Sequence, residues 1–326
     1  MRITARAVVL GAALFAVLAS GLASGAQQYP SRTITLVVPF PPGGGNDATA
    51  RMIADRLGVI LGQTVVVDNR GGAGGLVGTR SVAKAAPDGY TIMLGHTGSI
   101  GINPTLYAHA GFDPRKDFVP LGLIAQMPLA LLVHPSVPAS DVRNLIELAR
   151  QEPNKITLGS SSKGTGSHMA AEMFMHVAEV RMNLIPYKGT AQVLNDLVGG
   201  HVQATFNVVP QALGMIRSGQ LRALAVTSQK RSPLLPEVPT ADESGLPNFN
   251  VVLNYGLLGP AGTPKEIVDK LNSAMRIAIE DPIFKDRVSA DGGEATSSSP
   301  EKYREIIDRD EAMWAALIRK LDLKIE

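Results

Sequence analysis

The chain has 326 residues, 31 lysines and arginines against 29 acids, and no cysteine. The absence of cysteine excludes structural disulfides, a thiol nucleophile, cysteine-ligated metals and a lipid anchor on an N-terminal cysteine. The near balance of charge gives no argument for a nucleic-acid partner or a polybasic membrane contact, and the length suits one large domain or two of about 150 residues.

In chain order, Arg2 and Arg6 precede the apolar run Ala7–Ala19, and Ser24-Gly25-Ala26 closes the segment with small residues. This is the pattern of a cleavable export signal over residues 1–26. The run is too short for a membrane span of about 20 residues; an uncleaved anchor is the alternative. Removing the segment takes away two arginines and no acid, which leaves a formally neutral chain. The expected location is the periplasm of a Gram-negative cell, without an anchor.

An apolar strand, Thr33–Val38, then runs into Pro39-Phe40-Pro41-Pro42-Gly43-Gly44-Gly45-Asn46-Asp47. Glycines lack a Cβ, tolerate φ > 0 and let a ligand approach bare backbone. The polar residues cap a helix whose start offers unpaired N–H groups and a partial positive charge. Together they predict an anion cradle that needs no arginine or lysine. An ordinary proline–glycine turn is the alternative. Each glycine costs about 0.5–1 kcal/mol in conformational entropy relative to alanine, which favours the ligand reading. Ala50, Ile53, Ala54, Leu57, Ile60 and Leu61 share one apolar face of the helix that follows. Next come a strand at Thr64–Val67, a glycine loop at Asn69–Gly75, a short helix to about Ala85 and a turn at Pro87-Asp88-Gly89. The strand Thr91–Leu94 leads into Gly95-His96-Thr97-Gly98-Ser99.

Leu121–Ile124 and Leu129–Val133 are apolar runs broken by Pro128, and Asp141 caps a helix to about Gln151. The strand Ile156–Leu158 feeds a second glycine loop, Gly159-Ser160-Ser161-Ser162-Lys163-Gly164-Thr165-Gly166, in which the hydroxyls of Ser160, Ser162 and Thr165 are candidate donors. A helix bearing Met169, Met173, Val177 and Val180 follows. Further strands are expected at Met182–Ile185, Val202–Phe206, Leu221–Val226 and Val251–Leu258, and a last helix over about 300–320. The alternation of strands and helices predicts an α/β fold with a parallel sheet. Such sheets bind ligands at the carboxyl ends of their strands. Two strand–glycine-loop–helix units, one in each half, predict two lobes offering helix N-termini to a shared cleft.

Neither glycine loop is a dinucleotide or phosphate-loop fingerprint, and no G-x-S-x-G elbow is present. Ser160 and Lys163 fit S-x-x-K, so a periplasmic serine hydrolase is a competing reading, although the partner motifs of that chemistry are missing. His168, Glu172 and His176 recur every fourth residue and share a helical face. That face is either a metal site or a solvated polar stripe beside the apolar one; no metal and no cofactor is expected. His168, near the helix start, also has the reach to meet the Ser160–Gly166 loop.

Several ordered segments carry a family resemblance. They are Val37-Val38-Pro39-Phe40-Pro41-Pro42-Gly43-Gly44, Ala86-Pro87-Asp88-Gly89-Tyr90-Thr91, Pro186-Tyr187-Lys188-Gly189, Leu221-Arg222-Ala223-Leu224-Ala225-Val226-Thr227, Pro236-Glu237-Val238-Pro239-Thr240 and Gly262-Thr263-Pro264. Over essentially the whole mature chain they resemble the Bug family of periplasmic solute-binding receptors of tripartite tricarboxylate transporters. The resemblance implies an α/β, two-lobed periplasmic binding protein of the Venus-flytrap type II, with two crossover hinge strands. Lobe one would comprise residues 27–127 and 226–326, and lobe two residues 128–225. It further implies a small carboxylate ligand held largely by loop backbone and bridging waters, membrane permease subunits as partners, and a monomer. Carried over, Phe40, Gly43, Gly44 and Gly45 form the lobe-one cradle, with His96 and Thr97 in a neighbouring loop. Ser160, Ser162, Thr165 and His168 form the lobe-two cradle, with Tyr187 on the wall; a packing tyrosine is the alternative there. Relatives commonly carry an aspartate where this chain has Asn207. A neutral amide cannot neutralise a ligand ammonium, so the departure disfavours an amino acid and favours a plain organic acid; two facing anion cradles suit a dicarboxylate, with an acid at each end. A ligand sensor for a signalling partner is the remaining alternative on the same fold.

Overall fold

The computed structural model describes residues 29–290 and 292–325; the expected export segment lies outside them. Strands β1 (Ile34–Val38), β2 (Val65–Asn69) and β3 (Thr91–His96) pair in parallel in the order β2-β1-β3. Helix α1 (Gly45–Leu61) joins the first two and α2 (Leu76–Ala83) the next. Parallel neighbours need such crossovers. The apolar face of α1 predicts its packing: Ala50, Ile53, Ala54 and Leu57 are buried, and Gly62 ends the helix at φ 66°. Only glycine adopts that left-handed stop without steric cost. Beyond β3, a π-helical turn at Thr97–Ile102 continues into the one-turn helix α3 (Asn103–Leu106).

Strand β4 (Phe118–Val133) is 16 residues long and joins the two halves of the sheet. The second half follows in chain order: α4 (Val142–Gln151), β5 (Thr157–Ser160), α5 (Gly166–Val177), β6 (Asn183–Pro186), α6 (Thr190–Val198), β7 (Ala204–Val208), α7 (Val209–Arg217) and β8 (Arg222–Val226). The chain then returns through β9 (Val252–Pro260), α8 (Lys265–Glu280), α9 (Pro282–Ala290), β10 (Glu294–Ala295) and α10 (Pro300–Lys320). The main path across the sheet is β2-β1-β3-β9-β4-β7-β5-β6, with β8 and β10 also paired to β4.

Two expectations are corrected here. The sheet is mixed: β9 lies antiparallel to both β3 and β4, and β4 lies antiparallel to β7, β8 and β10. No helix separates β8 from β9, so no right-handed crossover forces β9 into the parallel direction. Pro128 does not break its strand either. It pairs with Val252 at the end of the β4–β9 ladder, and from Leu129 onward β4 pairs with β7. A proline, which has no N–H to donate, is tolerated where the partner strand changes.

The last helix buries Tyr303, Ile306, Ile307, Trp314 and Leu317, as its spacing predicts. It packs over β4 and the Thr97–Ile102 turn. In the other half, Phe174 of α5 meets Phe206 of β7 at 5.7 Å between ring centroids, and Phe206 meets Phe249 at 5.8 Å. Both glycine loops thus leave well-packed strands, with their turns at the carboxyl ends of β1 and β5.

Candidate functional site

The first loop presents Gly43, Gly44 and Gly45 to solvent, and a Cβ built on any of them meets nothing within 4 Å. Gly44 caps α1 without a side-chain hydrogen bond. The polar cap expected from Asn46 and Asp47 is instead a tether, because Asp47 sits in the first helical turn and accepts the Gly43 N–H at 2.9 Å. Asp47 also accepts from Asn69 Nδ2 at 3.0 Å and pairs with Arg51 at 3.0 Å. Hydrogen bonding to Arg51 holds this carboxyl below the usual range. An arginine therefore belongs to the loop after all, engaged by Asp47.

The second component is the end of β3. His96 Nδ1 accepts the Gly98 N–H at 3.0 Å, and Ser99 Oγ accepts the His96 N–H at 3.3 Å. A ring nitrogen that accepts from an amide carries no proton, so the proton of neutral His96 is on Nε2. Burial pushes its pKa down to about 4. The Phe40 ring packs edge-on against His96 at 5.4 Å, and Tyr255 does the same at 4.9 Å. Thr97 is turned into the protein: its Oγ1 accepts the Asn254 N–H at 2.8 Å. Asn254 in turn accepts from Gln126 Nε2 at 2.7 Å and donates to Asp310 Oδ2 at 2.6 Å. Burial raises the Asp310 pKa, and Arg309 pairs with it at 3.0 Å. The network ties the floor of the site to β4, β9 and α10.

In the second loop, Ser160 is fully buried and its Oγ has no hydrogen-bond partner. Thr165 caps α5, accepting the His168 N–H at 3.3 Å while its hydroxyl donates to the Ser162 carbonyl at 2.7 Å. Ser162 itself is half-buried. His168 is buried with Nδ1 unpartnered, and its Nε2 stands 3.8 Å from Glu172 Oε1. Burial first, then the Lys163 charge, pushes its pKa down to about 4. Lys163 is exposed where Ser160 is buried, so the S-x-x-K pair does not share one environment. Among the described residues, no three His, Asp or Glu side chains are grouped to hold a metal ion.

The structure brings the loops of the two halves together. A Cβ on Gly98 would lie 3.5 Å from the Gly164 carbonyl oxygen, and one on Gly164 would lie 3.0 Å from Leu106 Cδ2 and 3.1 Å from Asn103 Oδ1. Gly164 has φ +77°, a conformation side chains rarely adopt. The Tyr187 hydroxyl and Asn207 Oδ1 find local partners. The Tyr187 hydroxyl donates to Asp196 Oδ2 at 2.6 Å, and burial together with Asp196 pushes its pKa up to about 12. Asn207 is buried, and its Oδ1 accepts the Val208 N–H at 2.8 Å.

The sequence profile described as the tripartite tricarboxylate transporter family receptor matches residues 49–323. The chain belongs to this family. The periplasmic binding protein BugD is 38% identical, with a TM-score of 0.78 over 91% of this chain and 100% of that one. A protein of R. palustris solved with adipate is 35% identical, with a TM-score of 0.81 over 91% and 99%. MatC from Rhodopseudomonas palustris, solved with bound malate, is 31% identical, with a TM-score of 0.78 over 89% and 100%. The receptor fold is thus the two-lobed periplasmic binding-protein type.

Two residues of the candidate site, Asn103 and Asn254, were not anticipated from sequence. Asn103 is 1% exposed, its Oδ1 is unpartnered, and it lies beside the second loop. Asn254 offered a usable signal, since a lone amide inside the apolar stretch Val251–Leu258 must find buried partners. Asn103-Pro104 reads locally only as a turn.

Proposed function

We propose that this periplasmic solute-binding receptor captures a small dicarboxylate between its glycine loops and delivers it to the permease subunits of a tripartite transporter. The observation that carries this reading is that two atoms flanking the second loop are buried and unpartnered, Ser160 Oγ at the end of β5 and His168 Nδ1 in the first turn of α5. Buried polar groups are ordinarily paired, and beside a helix N-terminus such a pair suits an oxyanion. Across the cleft, the exposed Gly43–Gly45 loop leaves room for close approach of a second carboxylate. In this reading Phe40 and His96 form the wall between the two ends, and Thr97, Thr165, Ser162, Tyr187 and Asn207 shape or brace the cleft. The relatives solved with adipate and with malate support a ligand bearing an acid at each end.

The lobes divide at residues 128 and 226, where β4 changes partners and β8 ends. The receptor acts as a monomer in the periplasm after removal of residues 1–26. Asn207 disfavours a ligand ammonium, because a neutral amide offers no countercharge. Micromolar affinity requires about −8 kcal/mol, within reach of a few charge-assisted hydrogen bonds in a closed cleft. Titration calorimetry of the purified receptor against malate, adipate, aromatic acids and amino acids tests the reading, with native mass spectrometry for any ligand retained from the cell. Saturable binding of dicarboxylates is the expected result. Binding confined to neutral sugars or to cations would overturn it.

A further inference from the structure

The two buried histidines of the site differ in one respect. His96 Nδ1 already accepts the Gly98 N–H at 3.0 Å. Protonating that nitrogen would break the bond and set two N–H groups against each other, so His96 is held neutral. His168 has no such lock. Its Nδ1 is buried and unpartnered, within the first turn of α5 directly after the second loop. Its other nitrogen stands 3.8 Å from the Glu172 carboxylate, one turn further along the same helix face.

We propose that His168 couples ligand capture to the uptake of one proton, its imidazolium held between the ligand carboxylate at Nδ1 and Glu172 at Nε2. The inference rests on the carboxylate-receptor reading above. In the free receptor the imidazole is buried and neutral, because Glu172 alone, opposed by Lys163, does not offset the cost of burying its charge. A carboxylate bound at the helix start supplies a second anion on the side opposite Glu172. The proton comes from solvent. It leaves the buffer acid or hydronium, whose bond to it breaks as the second N–H of the ring forms. The charged groups around His168 are Lys163 in the preceding loop, which opposes its protonation, and Glu172, which favours it. The strands packed beneath α5, β5 and β7, carry no charged residue. Burial raises the Glu172 pKa, which makes it a carboxylate that gains from a cationic neighbour.

The experiment is titration calorimetry of the full mature receptor with malate and with adipate, in buffers of different ionisation heat, at several pH values between about 6.5 and 8. Both ligands are fully ionised there. The dependence of the heat on the buffer counts protons. Uptake approaching one proton per ligand is expected, with affinity falling up to tenfold per pH unit on the way up. His168→Asn keeps a neutral amide near Nδ1 and should bind more weakly, with no uptake and a flat pH profile. Glu172→Gln should reduce the uptake while leaving binding measurable, and it serves if the His168 variant does not fold. Tight binding of either ligand with no proton uptake overturns the inference and leaves the receptor reading standing. So does uptake that persists in His168→Asn. A folded receptor that binds no carboxylate overturns both.

Discussion

Thr227 and Leu129 clasp the two segments that cross between the halves of the sheet. The Leu129 N–H donates to Thr227 Oγ1 at 2.8 Å, and the Thr227 N–H donates back to the Leu129 carbonyl at 2.8 Å. The same hydroxyl donates to the Val251 carbonyl at 2.6 Å. Thr227 is 1% exposed, so no solvent replaces these bonds. Thr227→Val keeps the shape and removes the hydroxyl. It should cost about 1–3 kcal/mol, the usual penalty for stranding buried backbone groups, and Thr227→Ser should recover most of it. Denaturant unfolding of the three proteins checks the order.

Two glycines should respond oppositely to alanine. A Cβ on Gly45, at the first position of α1, meets nothing within 4 Å. Gly45→Ala should therefore leave stability unchanged or raise it by about 0.5–1 kcal/mol. If dicarboxylates approach the bare loop, their affinity should fall on the order of tenfold, about 1.4 kcal/mol. A Cβ on Gly256 would lie 2.4 Å from the Tyr303 ring and 2.6 Å from the Gly122 carbonyl oxygen. Gly256→Ala should lower stability by about 1–3 kcal/mol or more through overpacking. Thermal unfolding and calorimetric titration separate the two effects.

The ligand-free receptor should lose stability as pH falls from about 6.5 toward 4. His96 and His168 both have folded pKa values pushed down to about 4 by burial, below the ordinary value near 6.5 in the unfolded chain. Between those limits the unfolded state binds more protons. The contribution is thus fully present above about pH 6.5 and is lost on the way down, by up to about 1.4 kcal/mol per pH unit for each histidine. His168→Asn should flatten this slope by about half. Unfolding midpoints measured across the range give the answer.

Asp310 should matter as an acceptor more than as a charge. Its Oδ2 takes the Asn254 Nδ2–H at 2.6 Å inside the core, and burial already disfavours its ionised form. Asp310→Asn retains an acceptor and should stay within about 1 kcal/mol of the parent. Asp310→Ala strands the Asn254 amide and should cost about 1–3 kcal/mol. A larger loss in Asp310→Asn than in Asp310→Ala would show that the charge itself is required.

Elements with strong local signals were legible in the sequence. The Asp141 cap is made, with Oδ1 accepting the Asn144 N–H at 2.8 Å, and α10 spans Pro300–Lys320 as its apolar face predicts. Each signal lies within one or two helical turns of what it specifies. The direction of β9 and the continuity of β4 through Pro128 were not legible. Both depend on pairing between distant segments; even the Leu129–Thr227 clasp joins residues 98 apart. The candidate site divides in the same way. Its glycine loops stand out in the sequence, whereas Asn103 and Asn254 gain their roles from partners far along the chain.

The sequence by itself determined that two strand–glycine-loop–helix units exist and that each offers a helix start, because turns and caps are specified by residues within about four positions of one another. Only the tertiary structure decided which donors and acceptors remain available there. A polar group is free or engaged according to what the fold brings to it. Thr97 Oγ1 is engaged by the Asn254 N–H and the Ser167 hydroxyl by the Phe206 carbonyl, while Ser160 Oγ and His168 Nδ1 are buried without partners. That difference, invisible in the order of residues, arises when distant segments pack.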